Sequence, residues 1–292
     1  MTVLSLRRPI ISGLRDYGVK GQIGLEKTLN EYLDKILAIT AECKRVLKKT
    51  GTMWWNHGDS YGTGSGAGER NGLQRTNRGT QNFEKWKKDG KSKVQGYEKC
   101  LLFQNYRLAI RMIDEQQWIA RNVIIWHKPN AMPSSVKDRF SVDYEPVFFF
   151  TKSKKYFFEP QYEPFESNDY DRARMAKARE VHGGKWAEQS GGAIKTQRAF
   201  VAGGKLGRNK RCVWRINTNA FSGTHFATFP AALIETPIRA GCPHDGIVLD
   251  IFMGSGTTAV VARSLGRKYI GIELNKSYIK LANDRLRQRV LI

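Results

Sequence analysis

A glycine turn and an acidic residue near the end of the sequence have the types and spacing of a cofactor site. Ile247–Asp250 has the apolar run of a buried parallel strand, and Gly254–Gly256 follows as a tight turn. Thr257–Leu265 predicts a helix, and Tyr269–Glu273 predicts the next strand. Glu273 lies about 20 residues beyond the turn, where an acidic side chain can accept hydrogen bonds from ribose hydroxyls. The spacing therefore predicts a β-α-β unit that binds a ribose-containing cofactor.

The glycine pattern also bears on the class of cofactor. It reads F-x-G-x-G rather than the dinucleotide pattern G-x-G-x-x-G, which argues against an NAD-dependent oxidoreductase. A glycine turn alone can serve only to let a helix pack on a strand, but that role needs no acidic residue at Glu273. Asp250 has an alternative interpretation as a cap of the following helix.

The elements before this unit predict the same α/β class. Thr28–Lys48 has apolar residues near the 3.6-residue period and begins with the capping-box pattern T-x-x-E. Thr52–Asn56, Trp118–Trp126 and Tyr144–Thr151 are apolar runs that predict strands. Helices that alternate with strands indicate a doubly wound sheet, so we expect a Rossmann-like fold with helices on both faces.

The charge of the chain predicts a polyanionic partner. The sequence has 49 Lys and Arg against 27 Asp and Glu, a formal net charge of +22. Such a surface repels itself unless a polyanion lies close by, so we expect nucleic acid; a basic solvated surface is the alternative. We expect a loop insertion at about 62–99 and a basic recognition region at 159–219, for which a solvated linker is the alternative. The candidate phosphate contacts are Lys128, Lys205, Arg208, Lys210 and Arg211.

Cysteine spacing and hydropathy exclude other classes. The four cysteines, Cys43, Cys100, Cys212 and Cys242, form no C-x-x-C pair, so we expect no metal site and no disulfide framework. We expect a reducing, cytoplasmic environment. No stretch approaches the roughly 20 apolar residues of a membrane span, and no signal peptide is recognisable. We therefore expect a soluble protein without a membrane partner.

The residues around the glycine turn resemble a known family. L-D-I-F-M-G-S-G-T-T at Leu249–Thr258 and Y-I-G-I-E-L at Tyr269–Leu274 are similar to the cofactor motif of β-class DNA amino-methyltransferases, which usually read D-P-F-x-G-S-G-T-T. Gly13–Glu26, Ile124–Asn130 and His225–Pro230 also look like blocks of that family. The resemblance covers nearly the whole chain. The position of the glycine motif after the other blocks fits the permuted order of the β class.

The resemblance implies S-adenosylmethionine as cofactor and gives roles to matching positions. It implies that Asp250, Phe252, Gly254, Gly256 and Thr257 surround the cofactor, with Glu273 on the ribose and Thr228, Phe229 and Pro230 as a second wall. Ile251 stands where the family has Pro. The family also implies double-stranded DNA as substrate and a cognate restriction endonuclease as a candidate partner.

The chemistry of this family narrows the roles of other residues. An exocyclic amino group can attack the methyl group directly once the base is flipped out and aligned, without a covalent intermediate. Methylation at cytosine carbon 5 would need a thiolate in a Pro-Cys context, and the sequence has no such dipeptide. His57 and His127 could serve as general bases, but structural or DNA-contacting roles are the interpretation we favour. Asp59 is a candidate pocket residue that orients the base.

The catalytic block departs from the family pattern. The family has S-P-P-Y or D-P-P-Y, which accepts the amino hydrogens and stacks Tyr on the base, and Ser at the first position favours cytosine. Alignment of G-L-R-D-Y-G puts this block at Arg8, Pro9, Ile10 and Ile11, where only Pro9 matches. Arg8 is a donor in place of an acceptor and Ile11 has no π face, so this chain should not hold a flipped base productively. We also expect no strand before this block.

A frameshift would explain this departure. One permitted spelling of Met1–Ile11 encodes D-C-L-V-T-S-P-P-Y-Y when its first two bases are dropped, and this runs into S-G-L-R-D-Y-G. We therefore expect one surplus base just before the codon of Ser12 and an overlapping upstream frame that encodes a leader. The restored S-P-P-Y predicts methylation of cytosine N4 rather than adenine N6.

Three functions remain open: an active DNA methyltransferase with an unusual pocket, an inactive remnant that binds cofactor and DNA, and a non-enzymatic basic nucleic-acid protein. For the first two we expect residues 1–158 to form the catalytic-side half, 159–219 the target-recognition region and 220–292 the cofactor-binding half.

Overall fold

The computed structural model describes residues 2–5, 19–62, 97–163, 208–218 and 229–287, with 2–5 and Arg208 described by their backbone alone. The strands are β1 (Thr2–Ser5), β2 (Thr52–Asn56), β3 (Ile119–His127), β4 (Tyr144–Thr151), β5 (Tyr162–Glu163), β6 (Arg208–Asn209), β7 (Val213–Arg215), β8 (Ile247–Asp250) and β9 (Lys268–Gly271). The helices are α1 (Leu29–Val46), α2 (Gln104–Asp114), α3 (Ala231–Gly241), α4 (Thr257–Ser264) and α5 (Lys276–Arg287).

The chain divides into two compact units. One comprises Met1–Phe158 and Val213–Ile292, and the other comprises Glu159–Cys212. The smaller unit contains the antiparallel pair of β5 and β6. The functional division into 1–158, 159–219 and 220–292 stays a prediction.

The larger unit is built on a seven-stranded mixed sheet with the order β7-β3-β4-β2-β1-β8-β9. Strand β4 runs antiparallel to both of its neighbours, and all the other neighbouring strands are parallel. Strands β9, β8, β1 and β2 therefore run in one direction, and their carboxyl ends lie at one edge of the sheet.

Local sequence determines the start of α1. The Thr28 side chain accepts the backbone N–H of Glu31 at 3.2 Å, and the Glu31 side chain accepts the backbone N–H of Thr28 at 3.1 Å. These two bonds satisfy donors that the first turn of a helix leaves unpaired. The predicted helix and its capping box are thus confirmed, with Thr28 as the N-cap and the helix ending at Val46 rather than at Lys48.

Alternating side chains of the central strands build a core on each face of the sheet. Trp55 packs with α1 and α2 on one face, while Trp54 packs with α3 and α4 on the other. Trp54 also stacks on Phe149 of β4 with ring centroids 4.1 Å apart. Because successive side chains of a strand point to opposite faces, both faces need a helical cover. The predicted α/β sheet with helices on both faces is confirmed.

The expectation that no strand precedes the catalytic block is wrong. Thr2–Ser5 forms β1 in the middle of the sheet, between β2 and β8. Val3 is aligned with Met53 on one side and with Leu249 on the other. A short β-prone segment can take this place because a central parallel strand is hydrogen-bonded along both edges.

Across the described ranges, no helix combines the length and the apolar character needed to cross a bilayer. The same ranges contain no group of three or more His, Cys, Asp or Glu residues placed to hold a metal ion.

Candidate functional site

The candidate site lies at the carboxyl edge of the parallel strands. Leu4 of β1 is aligned with Asp250 at the end of β8, and Ser5 is aligned with Trp55 near the end of β2. Ligands of open α/β sheets bind outside this edge. The predicted catalytic block, Arg8, Pro9, Ile10 and Ile11, follows β1 in the sequence but lies outside the described residues.

The glycine turn after β8 requires backbone conformations that suit glycine. Gly254 and Gly256 have φ angles of +54° and +81°, in the left-handed region. The N–H of Gly256 donates to the carbonyl of Met253 at 3.0 Å, and the N–H of Met253 donates to the carbonyl of Ile272 at 2.9 Å. The turn is therefore closed on itself and joined to the segment that follows β9.

Glu273 connects the end of that segment to the glycine turn. Its Oε2 accepts the backbone N–H of Gly254 at 2.8 Å, and its Oε1 accepts the N–H of Asn275 at 2.9 Å. Strand β9 ends at Gly271, so Glu273 follows the strand rather than ending it. A carboxylate oxygen has two lone pairs, so these contacts leave capacity to accept ribose hydroxyls. Glu273 and the turn are thus brought together as the sequence predicted.

Asp250 makes the contacts of a turn cap. Its side chain is buried, Oδ1 accepts the N–H of Phe252 at 3.0 Å, and Oδ2 accepts the hydroxyl of Thr258 at 2.5 Å. Both carboxylate oxygens are therefore bound within the turn and the first turn of α4. The N-cap of α4 is Gly256, which has no side-chain cap, and Asp250 accepts a hydroxyl rather than a backbone N–H of the helix, so the alternative in which Asp250 caps the helix is not supported. A direct contact of Asp250 with the cofactor stays a prediction.

Phe252 contacts a buried series of hydrogen-bonded side chains formed by Trp55, His57 and Tyr32. Its ring packs edge-on against Trp55, with centroids 6.4 Å apart. The indole N–H of Trp55 lies 3.4 Å from Nδ1 of His57, and Nε2 of His57 lies 2.8 Å from the hydroxyl of Tyr32. An indole N–H can only donate, so Nδ1 accepts and Nε2 donates to Tyr32. His57 is 1% exposed, and these contacts support a structural role rather than that of a general base.

Asp59 lies beyond β2 and caps α2 from a distant part of the sequence. Its Oδ1 accepts the N–H of Ser60 at 2.8 Å and the N–H of Gln104 at 3.3 Å. Gln104 is the first residue of α2, and Phe103 before it supplies no side-chain cap. Burial raises the pKa of Asp59, although hydrogen bonds from backbone N–H groups oppose that shift. Asp59 thus has a structural role in this arrangement, and its contact with a base stays a prediction.

Two residues that the sequence analysis missed hold the segment after β2. The amide of Gln104 donates to the carbonyl of Gly58 at 3.4 Å, and that of Asn105 donates to the carbonyl of His57 at 3.3 Å. Both amides are buried. The sequence offered one signal for these contacts. Two polar residues begin the helix directly after Phe103, which cannot cap it with its side chain. These bonds hold the segment that carries Asp59 at the carboxyl edge of the sheet.

Lys128 is engaged within the protein. Its ammonium pairs with Glu145 and lies 4.5 Å from the centroid of the Trp126 ring. The Lys128 side chain is 15% exposed and that of Glu145 is 7% exposed. The ion pair with Glu145 holds the Lys128 ammonium largely buried, and the expected DNA contact of Lys128 stays a prediction.

The loop that follows β3 is fixed by other contacts. His127 is part-exposed, and its Nε2 lies 3.4 Å from the Asp143 carboxylate. Asn130 donates to the carbonyl of Thr218 and accepts the N–H of Thr218, both at 2.8 Å. The H-K-P-N block is therefore tied to the residues after β7, at the same edge of the sheet as Asp59.

The remaining predicted contacts are only partly described. In the smaller unit Lys210 and Arg211 are exposed, and Arg211 forms an ion pair of 2.6 Å with Glu163. Lys205, Thr228 and the side chain of Arg208 lie outside the described residues. Phe229 packs against the core below α3, and Pro230 precedes the first residue of that helix. Thr257 is buried in the first turn of α4.

Comparisons of sequence identify related proteins. The sequence profile of the family described as DNA methylase matches residues 8–284. The chain is 40% identical over 280 residues to the Type II methyltransferase M.XycI of Xanthomonas campestris pv. cyanopsidis, covering 94% of this chain and 77% of the relative. It is 38% identical over 280 residues to the Type II methyltransferase M.Cfr9I of Citrobacter freundii, with the same coverage of 94% and 77%.

Comparisons of structure give the same fold. The cytosine-N4-specific PvuII DNA methyltransferase superposes with a TM-score of 0.59 at 19% identity, covering 100% of this chain and 81% of that one. A putative DNA modification methylase from Thermus thermophilus, complexed with S-adenosyl-L-methionine, superposes with a TM-score of 0.53 at 18% identity, covering 99% and 86%. At these identities the likeness shows the fold alone.

Proposed function

This chain belongs to the DNA methylase family, and from that premise we propose that it transfers a methyl group from S-adenosylmethionine to an exocyclic amino group in double-stranded DNA. The contact that carries the proposal is the one between Glu273 and the N–H of Gly254. It brings an acceptor for ribose hydroxyls to the glycine turn at the carboxyl edge of the sheet, as a nucleoside cofactor requires.

S-adenosylmethionine supplies an electrophilic methyl group on a sulfonium. In the proposed complex Glu273 accepts the ribose hydroxyls, and the turn at Gly254–Gly256 lets the backbone approach the ligand closely. Phe252, packed on Trp55, forms part of the wall beside the turn. The residues after β2 lie at the same edge of the sheet and would face the base. Alignment of the amine with the methyl group is the main contribution of the protein, because no covalent intermediate is needed.

The proposed target is the N4 atom of cytosine, with adenine N6 as the alternative. Support comes from the S-P-P-Y that one permitted back-translation of Met1–Ile11 gives in the shifted frame, since Ser at its first position favours cytosine in the family that the sequence resembles. The present residues Arg8 and Ile11 can neither accept the amino hydrogens nor stack on a base. A remnant that binds cofactor and DNA without turnover is therefore a second candidate for the chain as written.

Basic residues of the smaller unit are the proposed DNA contacts. Lys210 and Arg211 are exposed, and the net charge of +22 favours a polyanion. Lys205 and Arg208 belong to the same basic segment of the sequence. The name Type II methyltransferase of the relatives suggests a specific target site and a cognate restriction endonuclease, which we include in the proposal.

Calorimetric titration with S-adenosylmethionine tests the cofactor assignment, and NAD serves as the control ligand. We expect saturable binding of S-adenosylmethionine at one site and no binding of NAD, because the turn lacks the dinucleotide pattern. Binding of NAD without binding of S-adenosylmethionine would overturn the proposal.

A further inference from the structure

An arginine of α5 also forms hydrogen bonds with the glycine turn, in addition to the contacts that the turn makes with Ile272 and Glu273. Nη1 of Arg285 donates to the carbonyl of Ser255 at 2.8 Å and lies 3.1 Å from the hydroxyls of Ser255 and Thr257. Ser255 and Thr257 are both buried. The guanidinium therefore satisfies polar groups of the turn that the fold removes from water.

Close packing brings α5 against the turn. A Cβ atom built on Gly256 would lie 2.9 Å from Cβ of Ala282, which precedes Arg285 by one helical turn. Only glycine leaves room for this approach, and the φ of Gly256 is also left-handed. Ala282 and Arg285 thus fix the turn by contact and by hydrogen bonding respectively.

Arg285 lies where the dipole of α4 disfavours a positive charge. Its guanidinium lies beside the first turn of α4, where the helix dipole is positive and disfavours a cation. The charge-assisted bonds to the turn offset that repulsion. A position that opposes the dipole points to a role in the turn itself.

The hydrogen bonds form a continuous chain between two opposite charges. The carboxylate of Glu273 accepts the N–H of Gly254, whose peptide group carries the carbonyl of Met253. That carbonyl accepts the N–H of Gly256, whose peptide group carries the carbonyl of Ser255, and this last carbonyl accepts from Arg285. The anion lies at the N–H end and the cation at the carbonyl end, so both polarise the two peptide groups in the same sense.

We propose that Arg285 is a positioning residue for cofactor binding, which acts on Glu273 through the peptide groups 253–254 and 255–256. Removal of the guanidinium frees the carbonyl of Ser255, weakens the polarisation of the Gly254 N–H and loosens the carboxylate that receives the ribose. The inference rests on the proposed function, because it assigns Glu273 to the cofactor.

Calorimetry with S-adenosylmethionine tests this coupling on four proteins: the unaltered chain, Arg285→Met, Glu273→Gln and the double variant. We expect Arg285→Met to weaken binding by about tenfold, because the loosened Glu273 carboxylate then makes about one charge-assisted hydrogen bond fewer to the ribose. The double variant should bind about as weakly as Glu273→Gln alone, and more tightly than the product of the two single factors gives, because Arg285 acts through Glu273. The inference is overturned if Arg285→Met binds as tightly as the unaltered chain. It is also overturned if the loss of affinity in the double variant equals the product of the losses in the two single variants.

Two further variants separate positioning from general loss of structure. Arg287→Met removes an 82% exposed cation from the same helix and should leave the affinity unchanged. Arg285→Lys keeps the charge with fewer donors and should give an intermediate affinity, which keeps the test usable if Arg285→Met unfolds. If Arg285→Met is unfolded and Arg285→Lys binds with unaltered affinity, Arg285 contributes only to the stability of the fold. That result overturns the proposal.

The NMR chemical shift of the Gly254 amide proton is a second measurement. It should change only if Arg285 acts on the bond between Gly254 and Glu273, and not if Arg285 only stabilises the fold. A charge-assisted bond to Glu273 shifts this proton downfield, and Arg285→Met should move it upfield in a folded protein, whereas Arg287→Met should not. An unmoved resonance contradicts the inference. If the unaltered chain itself fails to bind S-adenosylmethionine, the proposed function fails instead, so the two failures are distinguishable.

Discussion

The Glu273 carboxylate accepts the backbone N–H of Gly254 at 2.8 Å, although the two residues are 19 positions apart in the sequence. The proposed acceptor for the ribose and the glycine turn are therefore joined by a direct hydrogen bond. A site whose parts are already fixed loses less conformational entropy when it binds.

Replacement of Glu273 by alanine should weaken binding of S-adenosylmethionine. The variant loses charge-assisted hydrogen bonds worth about 1.5–3 kcal/mol, a loss of about tenfold to a hundredfold in affinity. Calorimetry measures the change, and Glu235→Ala on the exposed face of α3 is the matched control, whose affinity should not change. Unchanged affinity in Glu273→Ala would remove Glu273 from the site.

Replacement of Lys128 by methionine should destabilise the protein. Loss of the ammonium breaks the buried ion pair between Lys128 and Glu145, at a cost of about 3–5 kcal/mol. Lys99→Met, which breaks an exposed pair with Asp138, should cost less than about 1 kcal/mol. Urea unfolding gives both values. A stable Lys128→Met variant with a weaker salt dependence of DNA binding would instead assign Lys128 to a phosphate contact.

The sequence alone predicted the glycine turn and the position of Glu273 beside it, because the residues that determine them are close together in the sequence. Gly254 and Gly256 require left-handed backbone, and the strands on either side are short apolar runs whose lengths fix the position of Glu273. The capping box of α1 was predictable for the same reason, since Thr28 and Glu31 lie within one helical turn. Such features need no knowledge of the tertiary fold.

Contacts between distant parts of the sequence could not be predicted in this way. Lys128 and Glu145 are 17 residues apart, Arg285 and Ser255 are 30 apart, and Asp59 caps a helix 45 residues later. The sequence shows that these side chains are charged but not which partner packing brings to them. In the sequence, an exposed lysine therefore cannot be distinguished from a buried lysine that is paired with a carboxylate. Only the tertiary structure shows which partner lies beside it.

Lys210→Ala should lower the salt dependence of DNA binding. Each lost phosphate contact reduces the slope of log affinity against log salt by about 0.9. Lys49→Ala is the control, because this exposed lysine precedes β2 and lies at the opposite edge of the sheet from the candidate site. Fluorescence anisotropy with duplex DNA at several salt concentrations gives the slopes. Equal slopes for Lys210→Ala and the unaltered protein would remove Lys210 from the interface.

Thiol reactivity should separate the cysteines into two classes. Cys100 and Cys212 are exposed, whereas Cys43 and Cys242 are buried. Burial raises the pKa of Cys43 to about 12, so its reactive thiolate is scarce at neutral pH. We expect two fast thiols with Ellman's reagent in the native protein and four in urea. The Cys100→Ser/Cys212→Ser variant should lose the fast phase, and four fast thiols in native protein would contradict the fold.

The most direct test of the proposed function is mass spectrometry of nucleosides from amplified, unmethylated genomic DNA after incubation with S-adenosylmethionine. The variant with Arg8→Ser, Ile10→Pro and Ile11→Tyr regains an acceptor and an aromatic ring where the family holds the base. We expect N4-methylcytosine from this variant and no methylated base from the unaltered chain, while both bind the cofactor. N6-methyladenine from the variant would overturn the choice of cytosine but retain methyl transfer. If the variant binds S-adenosylmethionine and DNA but forms no methylated base, the proposal of an amino-methyltransferase is contradicted.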